Sequence, residues 1–173
     1  MSGYTDRMAL KDSILPEFDH EMGTTRRLLE RVPEADFAWK PHDKSFSLVQ
    51  LATHIASIPR WVPFTLEETA LDVSTVPEDA RPKPAASVAD LLKTFDGHVK
   101  NARAKINEQP DAALLVPWTL KQGTHEVFTM PRIAVLRSFI MNHMIHHRGQ
   151  LSVYLRLRNV PLPSIYGPTA DEG

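Results

Sequence analysis

Four segments of this chain repeat apolar residues every three or four positions, and that spacing restricts the fold more than any other property of the sequence. In the first, Leu10, Ile14, Phe18, Leu28 and Val32 share one side of a helical wheel. This predicts a helix over about 8–32, with Pro16 making its start irregular or later. In the second, Ser47 and Gln50 have the form of a capping box ahead of Leu48, Leu51, Ile55, Ile58, Val62 and Leu66. Pro59 and Pro63 predict a kink or early stop there. Ser87 caps a third stripe of Val88, Leu91, Phe95, Val99, Ala102 and Ile106. Thr129 and Pro131 take cap and first-turn positions of a fourth helix running to about Arg158. The chain then ends in the extended stretch "VPLPSIYGPTADEG".

Two interruptions complete the pattern. Residues 72–86 read as a long polar connection, able to carry the chain along a bundle so that sequence neighbours run parallel. In 111–130 the helical period breaks, and "LLVPWTL", "KQG" and "THEVFTM" read as a hairpin around a Gly turn. Pro117 restricts its first strand to an edge. The expected fold class is all-α: a four-helix bundle with a long crossover between helices 2 and 3 and a small hairpin before the last helix. Its 173 residues suit one domain over 1–173.

A net charge of −1 offers no basic field for a phosphate backbone, so a nucleic-acid partner is not expected. No apolar run approaches the ~20 residues of a membrane span, and charges interrupt "MSGYTDRMALKDSILPEF" before a secretory leader could form. The absence of cysteine excludes disulfides, thiolate ligands and a protein thiol nucleophile, and fits a cytoplasmic location.

The chemistry concentrates in "FIMNHMIHHRGQL", residues 139–151. With Leu136 at zero and about 100° per residue, His143 falls near 340° and His147 near 20°, in the middle of the apolar stripe, while His146 falls to the side. Imidazoles four apart on a helix can aim nitrogens at one ion. Spacing alone admits two readings, a metal pair or hydrogen-bonded polar core residues. His54 is the best third ligand from another helix, on the flank of its stripe, where a half-exposed histidine is the plain alternative. Glu17 and Glu21 lie on or near the first apolar stripe, as pocket carboxylates, a fourth ligand or a base, or as residues that snorkel or pair with an arginine. Gln50 and Trp61 are further pocket candidates. Asn142 and Gln150 could orient ligands, and Arg148 is expected to pair with a carboxylate or a helix end. His20 falls on a polar side, His42 in a loop, His98 on a stripe flank, and His125 in the hairpin. Position 144 is Met, so the zincin His-Glu-x-x-His motif is missing; Gly-rich phosphate loops and a Gly-x-Ser-x-Gly elbow are missing too.

"LVQLATHIASI" followed much later by "NHMIHHRGQLSVYLRLRNVPLPSIYGPTADE" resembles the DinB/YfiT-like superfamily of metal-binding four-helix bundles. The first segment matches its second-helix histidine. The second matches its last-helix His-x3-His, the adjoining His-Arg-Gly-Gln and its Pro-rich tail. The resemblance implies that His54, His143 and His147 form a metal triad for a divalent ion such as zinc or nickel, often in a homodimer. It also implies chemistry like that of bacillithiol S-transferases and mycothiol-dependent maleylpyruvate isomerases. The expected function is a metal-dependent enzyme activating a low-molecular-weight thiol, or water, toward a small electrophilic substrate. The alternatives are a non-catalytic metal-binding or dimerisation module with a stress or sensor role, and a plain bundle with polar core histidines.

Overall fold

The computed structural model describes residues 8–172, so part of the N-terminal stretch read for a leader lies outside the described residues. The four apolar stripes become four rods. α1 (Leu10–Leu29) contains Pro16 without interruption, correcting the expectation of a later start. Its first backbone N–H donates to Asp111 Oδ1 at 2.8 Å, a cap supplied from 101 residues away. α2 (Leu48–Ser57) opens on the reciprocal Ser47–Gln50 capping box. At Pro59 it tightens into a 3₁₀ turn, Ile58–Arg60, and continues as α3 (Trp61–Glu67), the kink that the two prolines predict. After the crossover, α4 (Val88–Asn107) starts at Ser87, whose hydroxyl accepts from the Asp90 N–H.

Contacts between named residues fix the rod directions. Arg103 pairs with Asp19 and Arg26 with Asp96, so α1 and α4 run antiparallel. Ala85 meets Thr53, His98 meets Ala56 and Lys105 meets Glu67, so the α2–α3 rod and α4 run parallel. The long crossover makes that possible: a short loop would force neighbours to reverse.

The expected hairpin forms, but a third strand joins it. β1 (Ala70–Asp72), β2 (Pro117–Gln122) and β3 (His125–Pro131) form a three-stranded sheet in the order β1-β2-β3, with β1 parallel to β2. The fold is therefore a helical bundle with a small sheet, not strictly all-α, and β2 is its middle strand instead of an edge. Pro117 is tolerated because β1 pairs only from Thr119 onward, so the ladder needs no donor from it. The short α5 (Asp111–Leu114) precedes the sheet. Gly123 turns the hairpin with φ +63°, a conformation that suits glycine.

The last rod begins later than Thr129, which stays in β3 with its hydroxyl against that of Thr119. α6 (Arg132–Ala134) is one turn, followed by a π-helical segment, Val135–Met141, and α7 (Asn142–Leu157). Asn159, at φ 57°, ends it in the left-handed conformation that asparagine tolerates. α7 packs against both α1 and α2.

The core joins Phe18, Leu28, Leu51, Ile55, Phe95 and Leu151, among others. Within it lies a buried charge pair. Arg148 Nη2 sits 2.7 Å from Glu21 Oε2, with side chains 1% and 6% exposed. That contact lacks hydrogen-bond alignment; the aligned bonds run from Arg148 Nη1 to the Glu21 carbonyl and Thr25 Oγ1, both at 3.2 Å. Tyr166, from the C-terminal tail, donates its hydroxyl to the Glu21 carboxylate at 2.9 Å. Its ring lies 5.0 Å from the Arg148 guanidinium. Arg27 donating to the Ser164 carbonyl and Arg31 paired with Glu172 hold the tail along α1. Removing one member of a buried ion pair typically costs about 3–5 kcal/mol, because the other charge stays desolvated. Glu21→Ala is therefore expected to lower the unfolding free energy by about 3–5 kcal/mol, read as a fall in the urea midpoint at unchanged slope. Tyr166→Phe should cost only about 1 kcal/mol.

Candidate metal centre

His54 projects from α2, and His143 and His147 from α7, where the two rods run antiparallel. That direction follows from His54 meeting His143, Trp61 meeting Phe139 and Phe46 meeting Tyr154. One potential ligand atom from each of the three imidazoles lies within 4.8 Å of the other two. The Nε2 atoms of His54 and His143 are 3.3 Å apart. Ring centroids are separated by 5.1 Å (His54–His143), 4.6 Å (His54–His147) and 4.7 Å (His143–His147). Two nitrogens at about 2.0–2.1 Å from one tetrahedral ion stand about 3.3–3.4 Å apart, so the observed spacing suits a shared cation.

The protonation states agree with that use. Burial, reinforced by the neighbouring imidazoles, pushes His54 and His143 down to about 4. Burial also lowers His147, partly offset by its bond to Gln150. All three are then neutral near pH 7, the form that ligates. His147 Nδ1 lies 2.7 Å from Gln150 Oε1. An amide oxygen only accepts, so Nδ1 carries the proton and the Nε2 lone pair is free to ligate.

The wheel placed the two α7 histidines in the middle of the apolar stripe, and the structure corrects this. The buried residues of α7 are Met144, Arg148, Leu151 and Leu155, and both histidines are half-buried on the flank of that set. The cause is the π segment. Its i→i+5 bonding widens the turn, so 100° per residue overcounts the rotation through it. The buried stripe resumes one residue later, and His143, His147, Gln150 and Tyr154 form a polar seam toward α2.

The other candidates sort clearly. Glu17 pairs with Arg137 and Glu21 with Arg148 and Tyr166, so neither carboxylate joins the cluster. Arg148 thus has the carboxylate partner expected of it. Gln50 serves the Ser47 cap and lines a cavity of about 220 Å³ beside His54, with Phe46, Thr53, Pro82 and Pro84. Trp61 stands one ring removed, meeting Phe139 edge-to-face at 5.4 Å, which in turn lies 5.7 Å from His143. Asn142 is exposed and, among the described residues, makes no side-chain bond to the imidazoles. His146 is exposed beside His147, with ring centroids 5.0 Å apart. His125 is exposed at the hairpin turn. Of the rest, His98 joins α4 to the Ala56 carbonyl, His42 accepts from the Lys44 N–H in its loop, and His20 is exposed.

Sequence reasoning missed Phe46 and Phe139, which flank the cluster at 6.0 Å from His54 and 5.7 Å from His143. Phe139 stands four residues before His143, a spacing that could have found it. Phe46 lies in a loop and carries no periodic signal.

The sequence matches the model of the DinB family over residues 6–173. It is 23% identical over 164 residues to YrdA of Bacillus subtilis strain 168, a match covering 93% of this chain and 90% of that protein. The fold is similar to crystal structures of two DinB-like proteins. One is YjoA of Bacillus subtilis, with TM-score 0.67, 20% identity, and coverage of 91% of this chain and 99% of that one. The other is from Bacillus cereus ATCC 10987, with TM-score 0.66, 20% identity, and coverage of 90% and 97%.

Two outcomes test the site. Gln150→Ala, which frees the His147 ring, should weaken zinc or nickel affinity by about 10–100-fold, measured by competition with a chromophoric chelator. The metal-free protein should lose stability as pH falls from about 6.5 toward 4, because the unfolded state then takes up protons that folded His54 and His143 refuse. Melting temperatures across that range should flatten in His54→Gln/His143→Gln.

Proposed function

The chain belongs to the DinB family, and we propose that it is a metal-dependent enzyme whose divalent ion, zinc or nickel, is held by His54, His143 and His147. The observation that carries this reading is the convergence of three neutral imidazoles with no fourth His, Asp or Glu joining them among the described residues. A closed structural site uses four protein ligands; three leave a position for a reacting molecule. Bound there, a divalent ion would supply Lewis acidity that lowers the pKa of an incoming thiol or water.

The chain's own residues set the surroundings. The imidazoles contribute no negative charge, so they leave the ion's charge undiminished. Gln150 fixes the His147 tautomer. Phe46 and Phe139 shield two sides from water. The cavity beside His54 gives a small molecule access, and its proline wall comes from the crossover. The protein has no cysteine, so a thiol nucleophile must arrive as a low-molecular-weight cosubstrate and be transferred to a small electrophile. We further propose a cytoplasmic homodimer. Among the described residues no helix is long and apolar enough to cross a membrane.

Elemental analysis of the purified protein should find close to one zinc or nickel per chain, lost in His143→Ala. The loaded protein should accelerate conjugation of a low-molecular-weight thiol to an electrophile such as chlorodinitrobenzene, and His143→Ala should fall to the uncatalysed rate. Light scattering on the same sample should give twice the chain's mass. Metal bound without turnover of any thiol or ester would instead identify a binding module.

A further inference from the structure

A larger cavity lies apart from the imidazole cluster. It encloses about 560 Å³ where the 3₁₀ turn and α3 meet β1 and the start of the crossover. Trp61, Phe64, Leu71, Val73 and Val76 give it apolar walls. Arg60 and Arg81 are its charged lining, and no aspartate or glutamate lines it. The Arg60 guanidinium is tied to the backbone beside Arg81, donating to the Ala80 carbonyl at 3.0 Å. Both cations thus stand at one edge of the cavity.

Neither has a counter-ion among the described residues. Among the described residues no carboxylate comes within ion-pair distance of Arg60 or Arg81. By contrast Arg26, Arg103 and Arg158, also on the bundle surface, each grip one. Asp90 lines a neighbouring cavity that Arg60 also borders, and there it accepts from the Ala86 N–H. Arg60 is half-buried, and desolvation lowers its pKa with nothing offsetting it. A partly desolvated cation with one carbonyl partner and no counter-ion gains when an anion arrives. A planar guanidinium matches a carboxylate with two parallel hydrogen bonds. Apolar walls with a few convergent polar groups, at this volume, are the common form of a small-molecule site.

We propose that this cavity binds a small organic carboxylate with an apolar body, its carboxylate on Arg60 and Arg81 and its chain or ring against Trp61, Leu71 and Val73. The walls reject a compact hydrated anion, and the guanidiniums reject a neutral or cationic analogue. The site does not rest on the metal reading: between it and His143 stands the edge-to-face pair Trp61 and Phe139.

Calorimetric titration with octanoate, 1-octanol and inorganic phosphate tests the proposal on the protein as purified. Octanoate should saturate one site per chain, with octanol and phosphate at least tenfold weaker. Arg81→Gln, at an exposed position that leaves the core intact, should weaken octanoate at least fivefold, and Arg60→Gln/Arg81→Gln at least twentyfold at unchanged circular dichroism. His147→Ala should leave octanoate affinity unchanged. Octanol binding as tightly as octanoate would overturn the proposal. So would phosphate binding as tightly, octanoate failing to bind, or octanoate affinity that falls in His147→Ala but not in Arg81→Gln.

Discussion

The buried contact between Arg148 and Glu21 sets the rotation of α7, and the site depends on that rotation. Neighbouring residues on a helix point about 100° apart. With Arg148 drawn toward α1, where Glu21 and Thr25 hold it, His147 has to face another way, and that way is α2. A core leucine at 148 would pack as well, but it would tolerate rotations that an ion pair with three further hydrogen-bond partners does not. Tyr166 closes the arrangement from outside, so the tail that follows α7 also helps fix its orientation.

Much of this was legible in the sequence. The stripes predicted four rods, Ser47–Gln50 and Ser87 marked two helix starts, and Pro59 marked the kink. His54, His143 and His147 stood out by helical spacing and by the motifs flanking them. What escaped had physical reasons. β1 is three residues long and gains its partner from β2, with Ala70 opposite Thr119, so no local pattern announces it. Pro117 argued for an edge strand because a proline lacks a donor, but the pairing with β1 begins beyond it. The π segment has no sequence mark, and it displaced every wheel angle drawn across it.

That displacement changes how the histidines are understood. In the middle of a core stripe, imidazoles would be sealed from any substrate. One residue to the side, they keep enough burial to stay neutral and enough exposure to meet a small cavity. π segments recur at functional sites, and here the benefit is geometric: the extra width turns the His143–His147–Gln150 seam toward α2 while leaving Leu151 and Leu155 in the core.

The wide separation of the two contributing rods also has a temporal consequence. His54 and His143 stand 89 positions apart, and the rod carrying the second leaves the ribosome after the other three. A nascent chain therefore displays the side of α2 that meets α7 without that partner until α7 has been made. The imidazole cluster cannot assemble before α7 has been made, and any chain released ahead of α7 lacks two of its three histidines.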